Sequence, residues 1–302
     1  MSQTDTNATN DKARPGLIAV ASGKGGTGKT TVAANLARVS TEAIQLMDCD
    51  VEEPNCRLFL SGEVDEERPV TVPHPVVDGE KCTGCGACSK ACQFNAIVSL
   101  GSQAMVFPEL CHACGACALV CPENAITEDN REIGMIRMIK SGQVELAEGM
   151  LNVGSMLAPP VIRAVKGLRK SGATVLLDAP PGTSCPVVET LRGSDYVVLV
   201  TEPTPFGLHD LGLALDMVEE MGLPCGVVVN RAEEGNDSAR ELCEARGVRL
   251  LMEIPEDRRI AEAYSRGDLM VEALPEYCLR FEELLQELHE RVAKSKQEAS
   301  TA

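Results

Sequence analysis

Tryptophan is absent from this 302-residue chain, and only 3% of its residues are aromatic. Modules that grip single-stranded nucleic acid stack bases on rings, so a protein of that kind is excluded. No apolar run approaches the ~20 residues that a membrane-spanning helix needs, and no stable membrane insertion is expected. Positive charge is scarce too: 28 Lys and Arg face 45 Asp and Glu, for a net charge of -17. Such a surface repels phosphate backbones and anionic lipid, so nucleic acid is not expected as a partner. Residues 1–15 (MSQTDTNATNDKARP) are polar and have no apolar signal-peptide core. They read as a disordered leader on a cytoplasmic protein.

Cysteine and glycine are abundant, with 14 Cys and 26 Gly beside 17 Pro. Disulfides are rare in the cytoplasm, so clustered thiols point to metal. With 44% hydrophobic residues and few rings, the core must be packed by Val, Leu, Ile, Ala and Met.

The pattern along the chain predicts strands at 17–22, 43–48, 175–178, 196–201, 226–230 and 250–254. Helices are expected at 31–39, 161–170, 208–221, 238–246, 258–265 and 276–294, with a hairpin in QVELAEGMLNVGS (143–155). Strands alternating with helices imply a doubly wound, mostly parallel α/β sheet covered on both faces. The rhythm breaks at 73–130, where eight cysteines fall between Cys82 and Cys121. The expected organisation is therefore a leader (1–15), a first part of the α/β domain (16–72), an insert (73–130), a second part (131–295) and a polar tail (296–302). Along the last helix Cys278, Phe281, Leu285, Leu288 and Val292 form one apolar stripe, expected to pack on the sheet or on another subunit.

The insert contains a repeat. GEKCTGCGACSKACQFNAI (79–97) matches PELCHACGACALVCPENAI (108–126) with every Cys displaced by 29 residues. Each half reads C-x2-C-x2-C-x3-C, the run of bacterial two-cluster ferredoxins, in which the fourth Cys of one run ligates the other cluster. Cys82, Cys85, Cys88 and Cys121 are thus expected to hold one 4Fe-4S cluster, and Cys111, Cys114, Cys117 and Cys92 the second. Zinc also accepts four thiolates, but its sites pair C-x2-C units across a longer gap. Pro122 follows Cys121 as the run requires, whereas Gln93 follows Cys92. His112 reads as a surface neighbour of the second cluster, not a ligand.

GKGGTGKT at 23–30 follows a strand and opens a helix, the setting of a P-loop. The backbone from Gly25, Gly26, Thr27 and Gly28 through Lys29 is expected to cradle phosphates. Lys29 pairs with them, the Thr30 hydroxyl binds Mg²⁺, and Thr31 adjoins the site.

Lys24 narrows the motif. The form K-G-G-x-G-K-T resembles the deviant Walker A of the MinD, ParA, Mrp and nitrogenase iron-protein superfamily. DCDVEEPN (48–55) resembles its switch I, VLLDAPPGT (175–183) its Walker B and switch II, and VVVNR (227–231) and IPED (254–257) its adenine-contacting segments. The resemblance implies that Lys24 reaches the phosphates of a partner protomer, that Asp50 orients the attacking water, and that Asp178 holds Mg²⁺ through water. It further implies that Asn230, Pro255 and Asp257 surround the base. The chain as a whole resembles MinD-type ATPases carrying a two-cluster ferredoxin after switch I. That implies an ATPase, dimeric with itself or with a similar ATPase, using ATP, Mg²⁺ and two 4Fe-4S clusters and serving a redox or recruitment partner. Two alternatives stand beside electron transfer or redox sensing: a positioning or scaffold ATPase, and an iron–sulfur carrier resembling Mrp proteins. Cys185 occupies a place where the nitrogenase iron protein has a cluster-bridging cysteine; without a second bridging cysteine it reads as a packing or redox-sensitive thiol. Cys49, Cys56, Cys225, Cys243 and Cys278 read as small apolar side chains.

Overall fold

Short apolar runs ending at Gly, Pro or polar turns build the centre of the molecule. The computed structural model describes residues 16–301, so the expected leader at 1–15 lies outside the described residues. In chain order the elements begin β1 (Leu17–Ala21), α1 (Lys29–Val39), β2 (Ile44–Asp48), β3 (Glu63–Val77), α2 (Ala87–Ala91), β4 (Ile97–Leu100) and β5 (Gln103–Val106). They continue with α3 (Ala116–Leu119), β6 (Ile126–Ser141), β7 (Val144–Leu151), α4 (Ala158–Lys166), β8 (Thr174–Asp178), α5 (Cys185–Leu191) and β9 (Tyr196–Thr201). The remainder is α6 (Pro205–Glu220), β10 (Cys225–Ala232), α7 (Ser238–Ala245), β11 (Arg249–Pro255), α8 (Arg258–Ser265), α9 (Met270–Ala273) and α10 (Glu276–Thr301).

Nine strands form one sheet in the order β11-β10-β9-β1-β8-β2-β7-β6-β3. Pairing is parallel from β11 to β7 and antiparallel at β7-β6 and β6-β3. The doubly wound arrangement follows from strand alternation. In β1, Leu17, Ala19 and Ala21 join a core layer under α4, α5, α6 and α7, while Ile18 and Val20 join the layer under α1, α9 and α10. The expected stripe of α10 seals that second layer: Phe281, Leu285, Leu288 and Val292 are buried. Both faces covered, with P-loop and switch segments at the carboxyl ends of the parallel strands, is the architecture expected from the sequence.

Several segments differ from expectation. The helix expected at 161–170 runs from Ala158 to Lys166, because Pro159 and Pro160 fit a first turn that needs no N–H. Lys166 ends it by donating to the carbonyls of Glu189, Thr190 and Arg192 at 2.7, 2.9 and 2.8 Å, closing the end of α5. The terminal helix continues past Lys294 to Thr301, through most of the segment expected as a tail. The hairpin expected within 143–155 is formed instead by β6 and β7, turning at Gly142.

β3 was hidden from pattern reading because Pro69, Pro73 and Pro75 look like breakers. It is an edge strand, where a missing N–H costs no ladder bond. β3 and β6 pair from Glu63–Lys140 to Val77–Ile126, so the expected insert boundaries at 73 and 130 fall inside two strands of the main sheet. Residues 126–133 of β6 precede its pairing with β7, and this overhanging ribbon of roughly 25 Å carries the cysteine-rich segment. Because β6 runs antiparallel to β7, and β7 parallel to β2, the ribbon projects from the carboxyl edge of the sheet, the edge that also holds the P-loop.

Candidate functional site

The P-loop joins buried β1 to α1. Gly28, with φ +93°, is the left-handed N-cap of α1, and a Cβ there would collide with the Asn230 amide. A Cβ at Gly23 would collide with the Asp210 carbonyl of α6. The loop is braced from the far side, where Asn230 Nδ2 donates to the Thr27 carbonyl at 2.9 Å. The α1 N-terminus thus faces an open cleft of about 1300 Å³, mouth included, whose lining contains Gly25, Gly26, Lys29, Thr30, Thr31 and Asp50. Asn230, Pro255 and Asp257 line its opposite end. Asp257 also caps α8, accepting from Arg259 N at 2.8 Å.

Beneath the loop, three acids meet. Asp48 and Asp178 are register partners on β2 and β8. Thr30 Oγ1 donates to Asp178 Oδ2 at 2.6 Å, and the other Asp178 oxygen is buried without a partner. An orphaned carboxylate oxygen beside a threonine hydroxyl suits a hard cation such as Mg²⁺. Burial, aided by Asp178, holds Asp48 well above the usual carboxylate range. Asp178 is raised by burial, against lowering by Thr30 and Lys29. Asp50, half-buried at the cleft, is pushed up to about 6 by burial; Lys29 pulls it down and Asp178 raises it. Asp48 orders the end of the segment 48–55, accepting from the backbone of Asn55 and Cys56 at 2.9 Å each.

Sequence reading missed several of these roles. Cys56 is more than a small apolar side chain: its buried thiol donates to Asp178 Oδ2 at 3.4 Å. Lys24 is held outside the cleft lining, with Nζ 3.2 Å from Glu202 Oε2, and Arg231 Nη1 lies 2.6 Å from the other Glu202 oxygen. No motif marks Glu202, and Arg231 falls in the VVVNR segment without a role of its own. The available signal was an acid directly after the apolar run 196–201, where a buried strand turns toward the P-loop.

In the insert, Cys82, Cys85, Cys88 and Cys121 line one cavity of about 340 Å³. Cys92, Cys111, Cys114 and Cys117 line a second of about 400 Å³. The two halves repeat in backbone as well as sequence. Left-handed residues recur at the 29-residue offset: Gly84 and Ala113, Gly86 and Gly115, Asn95 and Asn124. Ala96 N donates to Cys92 Sγ and Ala125 N to Cys121 Sγ, each at 3.3 Å. Gln93 in place of proline therefore leaves the turn unchanged. Thiolates in fours, with amides aimed at sulfur, can hold a soft metal centre. His112 stacks on Phe94 with centroids 3.6 Å apart beside the second cavity.

The second cavity is the one nearer the body, because Ala113 of its rim packs against the main core layer that includes Val70, Val72 and Ile133. The segment after β2 reaches the same region: Leu151 N donates to the Val51 carbonyl at 2.7 Å, and Asn152 N to the Ile133 carbonyl at 2.8 Å. Arg137 adds a charged tie across the strands, 3.4 Å from Glu148 and 2.6 Å from Glu67. Cys185 is exposed at the start of α5. No helix among the described residues is long and apolar enough to cross a membrane.

Comparison with known proteins matches residues 18–270 to the CobQ/CobB/MinD/ParA nucleotide binding domain. An uncharacterized protein of Methanocaldococcus jannaschii is 33% identical over 258 residues, 83% of this chain and 90% of that one. The iron-sulfur cluster carrier protein of Pyrococcus abyssi is 24% identical over 270 residues, 83% of this chain and 77% of its own. Among solved structures, the septum site-determining protein MinD complexed with Mg-ADP from Pyrococcus horikoshii superposes with a TM-score of 0.57. It is 22% identical and covers 91% of this chain and 96% of its own, a likeness of fold.

Proposed function

The chain belongs to the CobQ/CobB/MinD/ParA nucleotide-binding family, and on that premise we propose that it is an ATP-hydrolysing switch whose dimeric closure is coupled to two 4Fe-4S clusters in a ferredoxin-like insert. Backbone amides from Gly25 to Lys29 bind the phosphates, and Lys29 pairs with them. Thr30 and Asp178 hold Mg²⁺, and Asp50 orients water as a carboxylate. Lys24 completes the site of the partner protomer, offsetting charge that develops on the transferred phosphoryl group. Asn230, Pro255 and Asp257 surround the base. The partner chain is a second copy or a similar ATPase, and the insert serves a redox or recruitment partner.

The observation that carries the reading is the exchange of fourth ligands. Cys121 joins the cavity of the first run and Cys92 that of the second, as a two-cluster ferredoxin requires. When bound, such clusters supply one-electron chemistry; the chain's part is to hold them, set their hydrogen bonds and control their exposure. Anaerobically purified protein is expected to contain about eight iron atoms per chain, absorb near about 400 nm and give interacting S = 1/2 signals on reduction. Stoichiometric zinc with little iron would refute the assignment.

The likeness to the Pyrococcus abyssi carrier favours a second reading, in which a cluster is passed on. It predicts transfer of iron to an apo-acceptor, whereas the switch reading predicts retention through repeated turnover.

A further inference from the structure

Glu202 begins the turn between β9 and α6, and its side chain is only 10% exposed. It faces two cations from different parts of the site. Oε2 is 3.2 Å from Lys24 Nζ on the P-loop, and Oε1 is 2.6 Å from Arg231 Nη1. Arg231 adopts φ +53° where the β10-β11 ladder breaks between Val229 and Ala232, and it lines the nucleotide cleft. A left-handed arginine is uncommon, and the break turns its side chain out of the sheet's alternation.

We infer that Glu202 is a positioning residue that holds Lys24 in the nucleotide-free protomer and releases it on closure, while Arg231 keeps the carboxylate paired. This rests on the reading that Lys24 acts across a dimer interface. A nearly buried carboxylate stripped of its only cation pays the full desolvation cost, which would lock Lys24 in place. With Arg231 present, one cation and one anion remain after Lys24 departs. Lys24 is then retained firmly enough to keep protomers apart without ATP and loosely enough to exchange Glu202 for phosphate.

The test is sedimentation of the anaerobic, cluster-containing chain with a saturating non-hydrolysable ATP analogue, nucleotide affinity being measured separately. Glu202→Gln, which keeps the shape and removes the charge, is expected to dimerise more readily. About fivefold per released lysine gives about 25-fold in the dissociation constant of a homodimer. Arg231→Ala is expected to shift the constant the other way, and Glu202→Gln/Arg231→Ala to behave as Glu202→Gln, since the effect of Arg231 runs through the carboxylate. Glu202→Asp restores the charge and is expected to return dimerisation toward that of the unmodified chain, which a purely structural role would not require. Dimerisation of Glu202→Gln unchanged or weakened, or an Arg231→Ala effect undiminished in the double variant, overturns the inference. Lys24→Ala separates the two levels. If it dimerises and hydrolyses ATP like the unmodified chain, the interface role of Lys24 fails; if it does not, and Glu202→Gln changes nothing, only the holding role fails.

Discussion

In the sheet body, two apolar layers bury side chains from every parallel strand and from α1, α4 to α7, α9 and α10, whereas the buried apolar residues of the cysteine-rich segment are Cys88, Ala96, Ile97, Ala104, Cys111, Ala125 and Ile126. Burial on the first scale offsets chain entropy; on the second it does not. The body is therefore specified by apolar pattern, and the insert by where eight thiols and six left-handed residues recur. An account that gives the insert its shape through metal ligation makes the contrast breakable.

Removing the metal is expected to have the largest effect. After anaerobic chelation, amides of residues 78–125 should lose about 100-fold or more of their hydrogen-exchange protection while β1, β8 and β9 keep theirs. Retained protection in both regions would mean that the insert folds without ligands. The body is tested next by Lys29→Ala, which on the proposed reading removes a charge-assisted phosphate contact and should weaken ATP binding roughly 100-fold. Asp50→Ala should instead retain binding and lose about 100-fold in hydrolysis. Wild-type turnover by that variant would move the water-orienting role to Asp48.

Asp50 also gives a pH signature. Its pKa rises to about 6 from an ordinary 3.8, burial being the main cause, so the folded chain binds this proton more tightly than the unfolded one. The stabilisation is complete below 3.8 and is lost as pH rises through about 6. On the proposed reading hydrolysis needs the carboxylate, so kcat/KM should run the other way and fall as pH drops through about 6, with Asp50→Asn flattening that limb. Within the insert, Cys92→Ser should damage chiefly the cluster of Cys111, Cys114 and Cys117, its sequence neighbours Cys85 and Cys88 notwithstanding. Equal loss of both clusters would deny that the halves hold separate centres.

Much of this was legible in the sequence because the signals are local. An apolar run between turn residues located β9, and helical spacing located α8, at the bounds observed, and the ferredoxin run with its exchanged fourth cysteine pointed to the sets of cysteines that line each cavity. What escaped was decided by neighbours far along the chain. β3 reads as loop because its prolines are tolerated only at a sheet edge, and edge status depends on the order of all nine strands. The Glu202 pairs with Lys24 and Arg231, and the Cys56 bond to Asp178, join segments 178, 29 and 122 residues apart. No window of sequence contains both ends.

The central claim is that body and insert form one switch, joined where the Val51 carbonyl meets Leu151 and where Ala113 packs on the core. By linkage, a cluster potential that moves on ATP binding requires an ATP affinity that moves on reduction. A shift of about 30 mV in a one-electron couple corresponds to about threefold in affinity. The direct measurement is ATP affinity of oxidised and dithionite-reduced protein, paired with cluster potentials with and without nucleotide. The account predicts affinities differing by about threefold and a matching displacement, larger for the cluster of Cys111, Cys114, Cys117 and Cys92 than for the other. Equal affinities together with unmoved potentials would contradict it and leave two independent modules on one chain.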